Sequence, residues 1–197
     1  MKNFLLSTVL MTLLFLVTTN NAFTQPKQLG QAGANIGYNL PMGTFGDFYK
    51  GGFNLGANLE YRLLSKLGVS VSFNYASWKW DDLGSGWSHD LAAFSTIGFL
   101  LGGKYYITDI NGTIPYAGIN LGYYSFTKKK NFNDPTETFS NLGLNVCGGA
   151  LIPIDEKLSV NAFVDYTNIF TKSYSTNYLG IHAGIVFKFN MSEDEEE

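Results

Sequence analysis

Four consecutive residues, Trp87-Ser88-His89-Asp90, include the hydroxyl, imidazole and carboxylate of a hydrolytic triad. Triad chemistry needs those groups held in one hydrogen-bonded line by a scaffold, and consecutive residues do not align that way. The stretch therefore reads as a polar loop, and catalysis would require Ser, His and Asp to converge at a rim of the fold. The single cysteine, Cys147, excludes an intramolecular disulfide framework. With only two histidines, His89 and His182, far apart, no zinc motif of ordinary spacing exists. No metal or cofactor is expected, and the chain is not expected to be an enzyme.

A second set of ionisable residues carries more information: Glu60, Arg62, Lys104, Asp165, His182 and Lys188. Each stands in a stretch where every second residue is apolar and the residues between are mostly Gly, Asn, Ser or Thr. Period-2 alternation is the signature of a β-strand with two unlike faces. Eight such segments are predicted, at 33–40, 53–62, 68–75, 96–105, 116–124, 141–152, 158–167 and 179–190. The last is the cleanest: Leu179, Ile181, Ala183, Ile185, Phe187 and Phe189 alternate with Gly180, His182, Gly184, Val186, Lys188 and Asn190. In the seventh, only Phe163 breaks the pattern.

The connections alternate in length. Short ones lie at 63–67, 109–112 and 153–157, and longer ones at 41–51, 79–90, 127–137 and 171–178. A soluble barrel would also alternate, with its apolar face inside. Its water-facing side, however, would be rich in Lys and Glu. Here that side is Gly, Asn, Ser and Thr, small groups suited to a narrow lumen, so the apolar face must meet lipid. The expected fold is all-β, a closed antiparallel transmembrane barrel of about eight strands in up-and-down order. Closure is obligatory, because an open edge in hydrocarbon leaves backbone groups unpaired.

Aromatic residues support this placement. Tyr38, Tyr75, Tyr123 and Tyr166 fall on the lipid face near one end, and Tyr61, Tyr105, Phe187 and Phe189 near the other, as interface girdles would. Trp78 and Trp80, flanking Lys79 at a strand end, read as interface anchors, and Cys147 reads as a lumen packing residue. The charged set faces the lumen, where isolated charge is costly. A salt-bridge network among Glu60, Arg62 and Lys188 is expected in its lower half. Such a network either fills and seals the barrel or lines a gated path.

The two ends of the chain complete the domain organisation. Lys2 precedes an apolar run from Phe4 to Val17, then polar residues and Ala22, the pattern of a cleaved signal peptide over 1–22. The run is shorter than the roughly 20 residues of a spanning helix. The barrel is assigned to 23–190 and an acidic disordered tail to 191–197. A formal net charge of −3, its acids concentrated in that tail, with no basic stripe elsewhere, excludes nucleic acid as a partner.

The terminal segment HAGIVFKF, His182 to Phe189, resembles the assembly signal that ends outer-membrane β-barrels, with His182, Gly184, Phe187 and Phe189 in the characteristic places. Together with the opening strand and its YNLPMGTFGD continuation, the chain resembles the outer-membrane β-barrel domain family, of the small OmpA-like and OmpW-like type. The resemblance implies a monomer in the outer-membrane lipid, both termini in the periplasm, delivered by the barrel-assembly machinery through the terminal strand. A non-catalytic structural or surface-interaction role is expected, because eight strands leave an interior roughly wide enough only for side chains. The OmpW-like resemblance keeps an alternative open, a narrow pore for small solutes, apolar ones included.

Overall fold

The structure is a computed structural model and describes residues 29–79, 93–107, 112–128, 137–171 and 176–190. Eight strands account for nearly all of them: β1 (Leu29–Met42), β2 (Gly52–Leu64), β3 (Leu67–Lys79), β4 (Ala93–Tyr106), β5 (Ile114–Lys128), β6 (Glu137–Pro153), β7 (Leu158–Ile169) and β8 (Thr176–Asn190). Each pairs antiparallel with its sequence neighbour, and β1 pairs β8 from Leu29↔Asn190 to Met42↔Asn177, closing the barrel. No helix among the described residues is long and apolar enough to cross a membrane, and the chain crosses with strands instead. The closed eight-stranded meander is the fold expected from the alternation.

The strands run longer than the pattern alone marked. β6 reaches 17 residues. The ladder continues past the lipid-facing band, where the side chains no longer alternate strictly but the backbone still needs partners. The connections at one end are 65–66, 107–113 and 154–157, and at the other 43–51, 80–92, 129–136 and 170–175. The 107–113 link is no shorter than 170–175, so length separates the two ends less cleanly than expected. The first long connection contains a short 3-10 turn, Gly43–Phe45, entered through Gly43 at φ +58°, a conformation glycine adopts without strain.

Several outward-facing leucines are among the most exposed large apolar residues: Leu59, Leu101, Leu121 and Leu142 are all more than 60 % exposed. Inward-facing Gln31, Asn39, Ser159 and Thr167 are almost fully buried. This inversion of the soluble pattern is what a lipid solvent demands. Tyr38, Tyr123 and Tyr166 toward the long-loop end, and Tyr105 and Phe187 toward the short-turn end, face outward and are exposed.

Trp78 is not an interface anchor. It is buried inside the lumen, 1 % exposed, packed in an apolar cluster. Its parity on β3 is that of Gly68, Ser70 and Asn74, so the pleat turns it inward. Trp80, the Trp87–Asp90 stretch, the leader 1–22 and the tail 191–197 lie outside the described residues.

Candidate lumen site

At the short-turn end the lumen is organised by residues two apart on alternate strands, which the pleat aims the same way. β2 brings Glu60 and Arg62, and β4 brings Lys104 and Tyr106. Glu60 reaches over β3, where only Gly68 and Ser70 face it, and a Cβ added at Gly68 would overlap its carboxylate. Lys104 Nζ lies 3.0 Å from Glu60 Oε2, and the Tyr106 hydroxyl donates to Oε1 at 2.5 Å. The Glu60 side chain is fully buried and that of Lys104 is 13 % exposed. The Arg62 guanidinium lies 3.8 Å above the centre of the Tyr106 ring. With the Gln31 amide turned so that its oxygen accepts, Arg62 Nε and Nη2 donate to it at 3.0 Å. Lys188 stands directly opposite Gln31 in the β1–β8 register.

Around the middle, a chain of amides runs from β5 to β8. Asn120 Nδ2 donates to Asn145 Oδ1 at 2.9 Å, and Asn145 Nδ2 donates to Asp165 Oδ2 at 2.5 Å and to Thr167 Oγ1 at 2.8 Å. Asp165 Oδ1 lies 2.8 Å from His182 Nε2. The Phe163 ring stacks on the imidazole at 4.5 Å and 12°, which accounts for the residue that broke the β7 pattern. Glycines make this possible. A Cβ at Gly180 would collide with both Asp165 Oδ1 and His182 Nε2, and one at Gly37 with His182 Nδ1. These residues surround a cavity of about 50 Å³, whose lining includes Asn35, Asn74, Asn161, Lys104 and Cys147. At roughly 10–15 Å³ each it holds a few waters.

The long-loop end is filled by aromatic side chains. Phe45, from the 3-10 turn, packs edge-on against Trp78 and Phe94 at 5.4 and 5.5 Å. Trp78 meets Tyr178 at 5.2 Å, and Phe94 meets Phe126 at 5.3 Å. Ala76, Leu100, Tyr124 and Ile169 complete the cluster.

Of the six residues singled out in the sequence, four therefore meet in pairs, Glu60 with Lys104 and Asp165 with His182. Arg62 and Lys188 flank Gln31. Glu60 turns to Lys104 on β4, across β3, while Arg62 and Lys188 lie toward the β1–β8 seam. Tyr106, Gln31 and Asn145 were not singled out beforehand, nor was the aromatic plug apart from Trp78, although those of them that lie on strands share the inward parity. Among the described residues no cluster of three or more His, Cys, Asp or Glu could hold a metal ion. Asp165 and His182 form an acid–base pair, and among the described residues no hydroxyl or thiol is hydrogen-bonded to that imidazole.

A family model described as outer membrane protein beta-barrel domain matches residues 9–189. Among solved structures, Neisserial surface protein A superimposes with a TM-score of 0.64 at 16% identity, covering 81% of this chain and 97% of that one. The N-terminal β-barrel domain of Pseudomonas aeruginosa OprF gives 0.53 at 16% identity, covering 81% and 97%. Ail of Yersinia pestis, solved with the heparin analogue sucrose octasulfate, gives 0.51 at 14% identity, covering 81% and 99%. At these identities the likeness is one of fold. No curated protein sequence matches the chain.

Proposed function

We propose that this chain, which belongs to the outer membrane protein β-barrel domain family and resides in the outer membrane, is a non-conducting, non-catalytic barrel that serves a structural or surface-interaction role. The single observation that carries this reading is the filling of the lumen from both ends. The aromatic cluster around Phe45 and Trp78 occupies the long-loop end. The Glu60–Lys104–Tyr106–Arg62 group occupies the other. The cavity lined by described residues between them has a volume of about 50 Å³, room for a few waters. Eight strands enclose an interior just wide enough for side chains, so a conducting path would require many of these to move together.

In this reading the long connections face outside and carry whatever recognition the protein performs. The short turns and both termini face the periplasm, the barrel is monomeric, and β8 is handed to the assembly machinery. The lumen charges are structural members of the wall.

Single-channel recording of the refolded barrel in planar bilayers tests this directly, paired with labelling of Cys147, which borders the cavity. Silence, with Cys147 protected from small charged thiol reagents until the barrel is unfolded, is the expected result. Steady openings, with Cys147 labelled in the folded protein, would replace this reading by the narrow pore.

A further inference from the structure

Seven of the eight strand pairings join neighbours in sequence, whose register the connecting segment constrains. The eighth, β1 with β8, joins the two ends of the barrel, and no connection sets it. The in–out alternation excludes a slip of one residue there, which would exchange the lipid and lumen faces. It does not exclude a slip of two, which leaves every side chain on its own face. A further feature must choose among registers two residues apart, and with the register the stagger of the closed barrel.

The lumen-facing rows of this seam alternate in size. From the short-turn end, Gly33 stands opposite Val186, Asn35 opposite Gly184, Gly37 opposite His182 and Asn39 opposite Gly180. Each glycine faces a larger side chain, and the glycines change strand from row to row. The larger side chains occupy the space the glycines leave. A Cβ added at Gly37 would overlap His182 Nδ1. One at Gly180 would lie 2.8 Å from Asn39 Oδ1, one at Gly184 2.8 Å from Asn35 Cβ, and one at Gly33 3.2 Å from Val186 Cγ2. On the lipid face the Phe189 ring covers Gly30, its directly opposite partner, in the same way. We infer that this alternation of glycine and larger side chains sets the register in which the barrel closes. A slip of two in one direction brings Gly33 opposite Gly184 and Gly37 opposite Gly180, and sets Asn35 against His182. In the other direction Gly37 meets Gly184, while Asn35 meets Val186 and Asn39 meets His182. Either slip leaves space beside a pair of glycines and crowds two larger side chains in the next row, and a close-packed interior tolerates neither. Of these three registers only the observed one fills every row, whether or not the lumen conducts.

The test reads the register by disulfide formation on the lipid face of the full chain, carrying Cys147→Ser and refolded in lipid vesicles. Ile36 and Ala183 stand directly opposite, and Ile181 and Ile185 are the positions that the two slips would bring opposite Ile36. All four face outward and are exposed. Diagonal neighbours lie about 7–8 Å apart, beyond the roughly 4.4–6.8 Å that a disulfide spans. With a lipid-soluble copper oxidant, and folding confirmed by heat-modifiable gel mobility, Ile36→Cys should link to Ala183→Cys and not to Ile181→Cys or Ile185→Cys. Transposing the rows on β8 by His182→Gly with Gly184→His, which leaves the composition unchanged, should move the link from position 183 to position 185. His182→Gly alone, which removes a large side chain from the seam, should add a link at 181 or 185 to the one at 183. Either shift bears the inference out. A link confined to position 183 in every variant that folds, or no folded barrel from either variant, overturns it, because a slipped seam would still close.

Discussion

Replacing Glu60 isolates one contact whose consequences can be worked through. Its carboxylate is fully buried, 3.0 Å from Lys104 Nζ and 2.5 Å from the Tyr106 hydroxyl. Glu60→Leu removes both contacts and leaves the Lys104 ammonium, only 13 % exposed, without its partner. Breaking a buried pair from one side costs about 3–5 kcal/mol. Lys104→Met leaves Glu60 with the Tyr106 hydroxyl, a charge-assisted hydrogen bond of about 1.5–3 kcal/mol, so its cost should fall nearer the lower end. The double variant strands no charge. Well-packed apolar replacements of buried pairs are neutral or stabilising by about 1–4 kcal/mol, so the double variant should regain most of the loss. Urea unfolding in vesicles, followed by tryptophan fluorescence and gel mobility together to check that one transition is observed, gives the four corners of the cycle. Single variants within about 0.5 kcal/mol of the parent, as surface substitutions are, would falsify the pairing. So would losses that simply add in the double variant.

Three further outcomes follow from the same geometry. Gly180→Ala puts a methyl onto Asp165 and His182; overpacking of this kind costs about 1–3 kcal/mol, and the imidazole nitrogen NMR shifts should report loss of the 2.8 Å contact. Leu121→Arg, at a lipid-facing position 67 % exposed in the middle of β5, should destabilise the barrel by about 2–4 kcal/mol in vesicles, whereas a lumen-facing charge would not show that dependence on depth. Trp78→Ala should cost about 3–5 kcal/mol as a core truncation, and the fluorescence of Trp78 should resist lipid-borne quenchers, which would quench an interface anchor.

The strands and their faces were legible because a lipid-exposed barrel obeys one local rule. Each residue sees either hydrocarbon or lumen, and the pleat alternates the two. The pairing of lumen charges was not legible in the same way. Sequence adjacency of strands suggested that Glu60 would find its partner near the β1–β8 seam. It instead crosses β3 to Lys104, because Gly68 and Ser70 leave the intervening strand bare. That choice depends on side-chain volume on a third strand, which pairwise reading of neighbours does not weigh. Trp78 shows the opposite case. Its parity placed it inside from the start, and only its aromatic character suggested the membrane interface.

The inward positions that departed from the small-polar pattern are the ones that determine the interior. Leu100, Tyr106, Tyr116, Tyr124, Leu151, Phe163 and Val186 all share parity with the Gly, Asn and Ser of their strands, and each is buried or packed into the lumen clusters. A narrow barrel must be filled to near-crystalline density. Where a strand contributes Gly, another contributes a large ring, as Gly37 and Gly180 make room for His182 and Gly149 for Phe163. The aromatic cluster fills the long-loop end, a second cluster with Tyr106, Tyr116 and Leu151 packs beside the Glu60–Lys104 pair at the other, and Asn120, Asn145 and Asp165 are hydrogen-bonded in line between them. An interior of that composition stabilises closure against the membrane on every side. A lumen built to conduct would carry its small polar residues in an unbroken file from one mouth to the other.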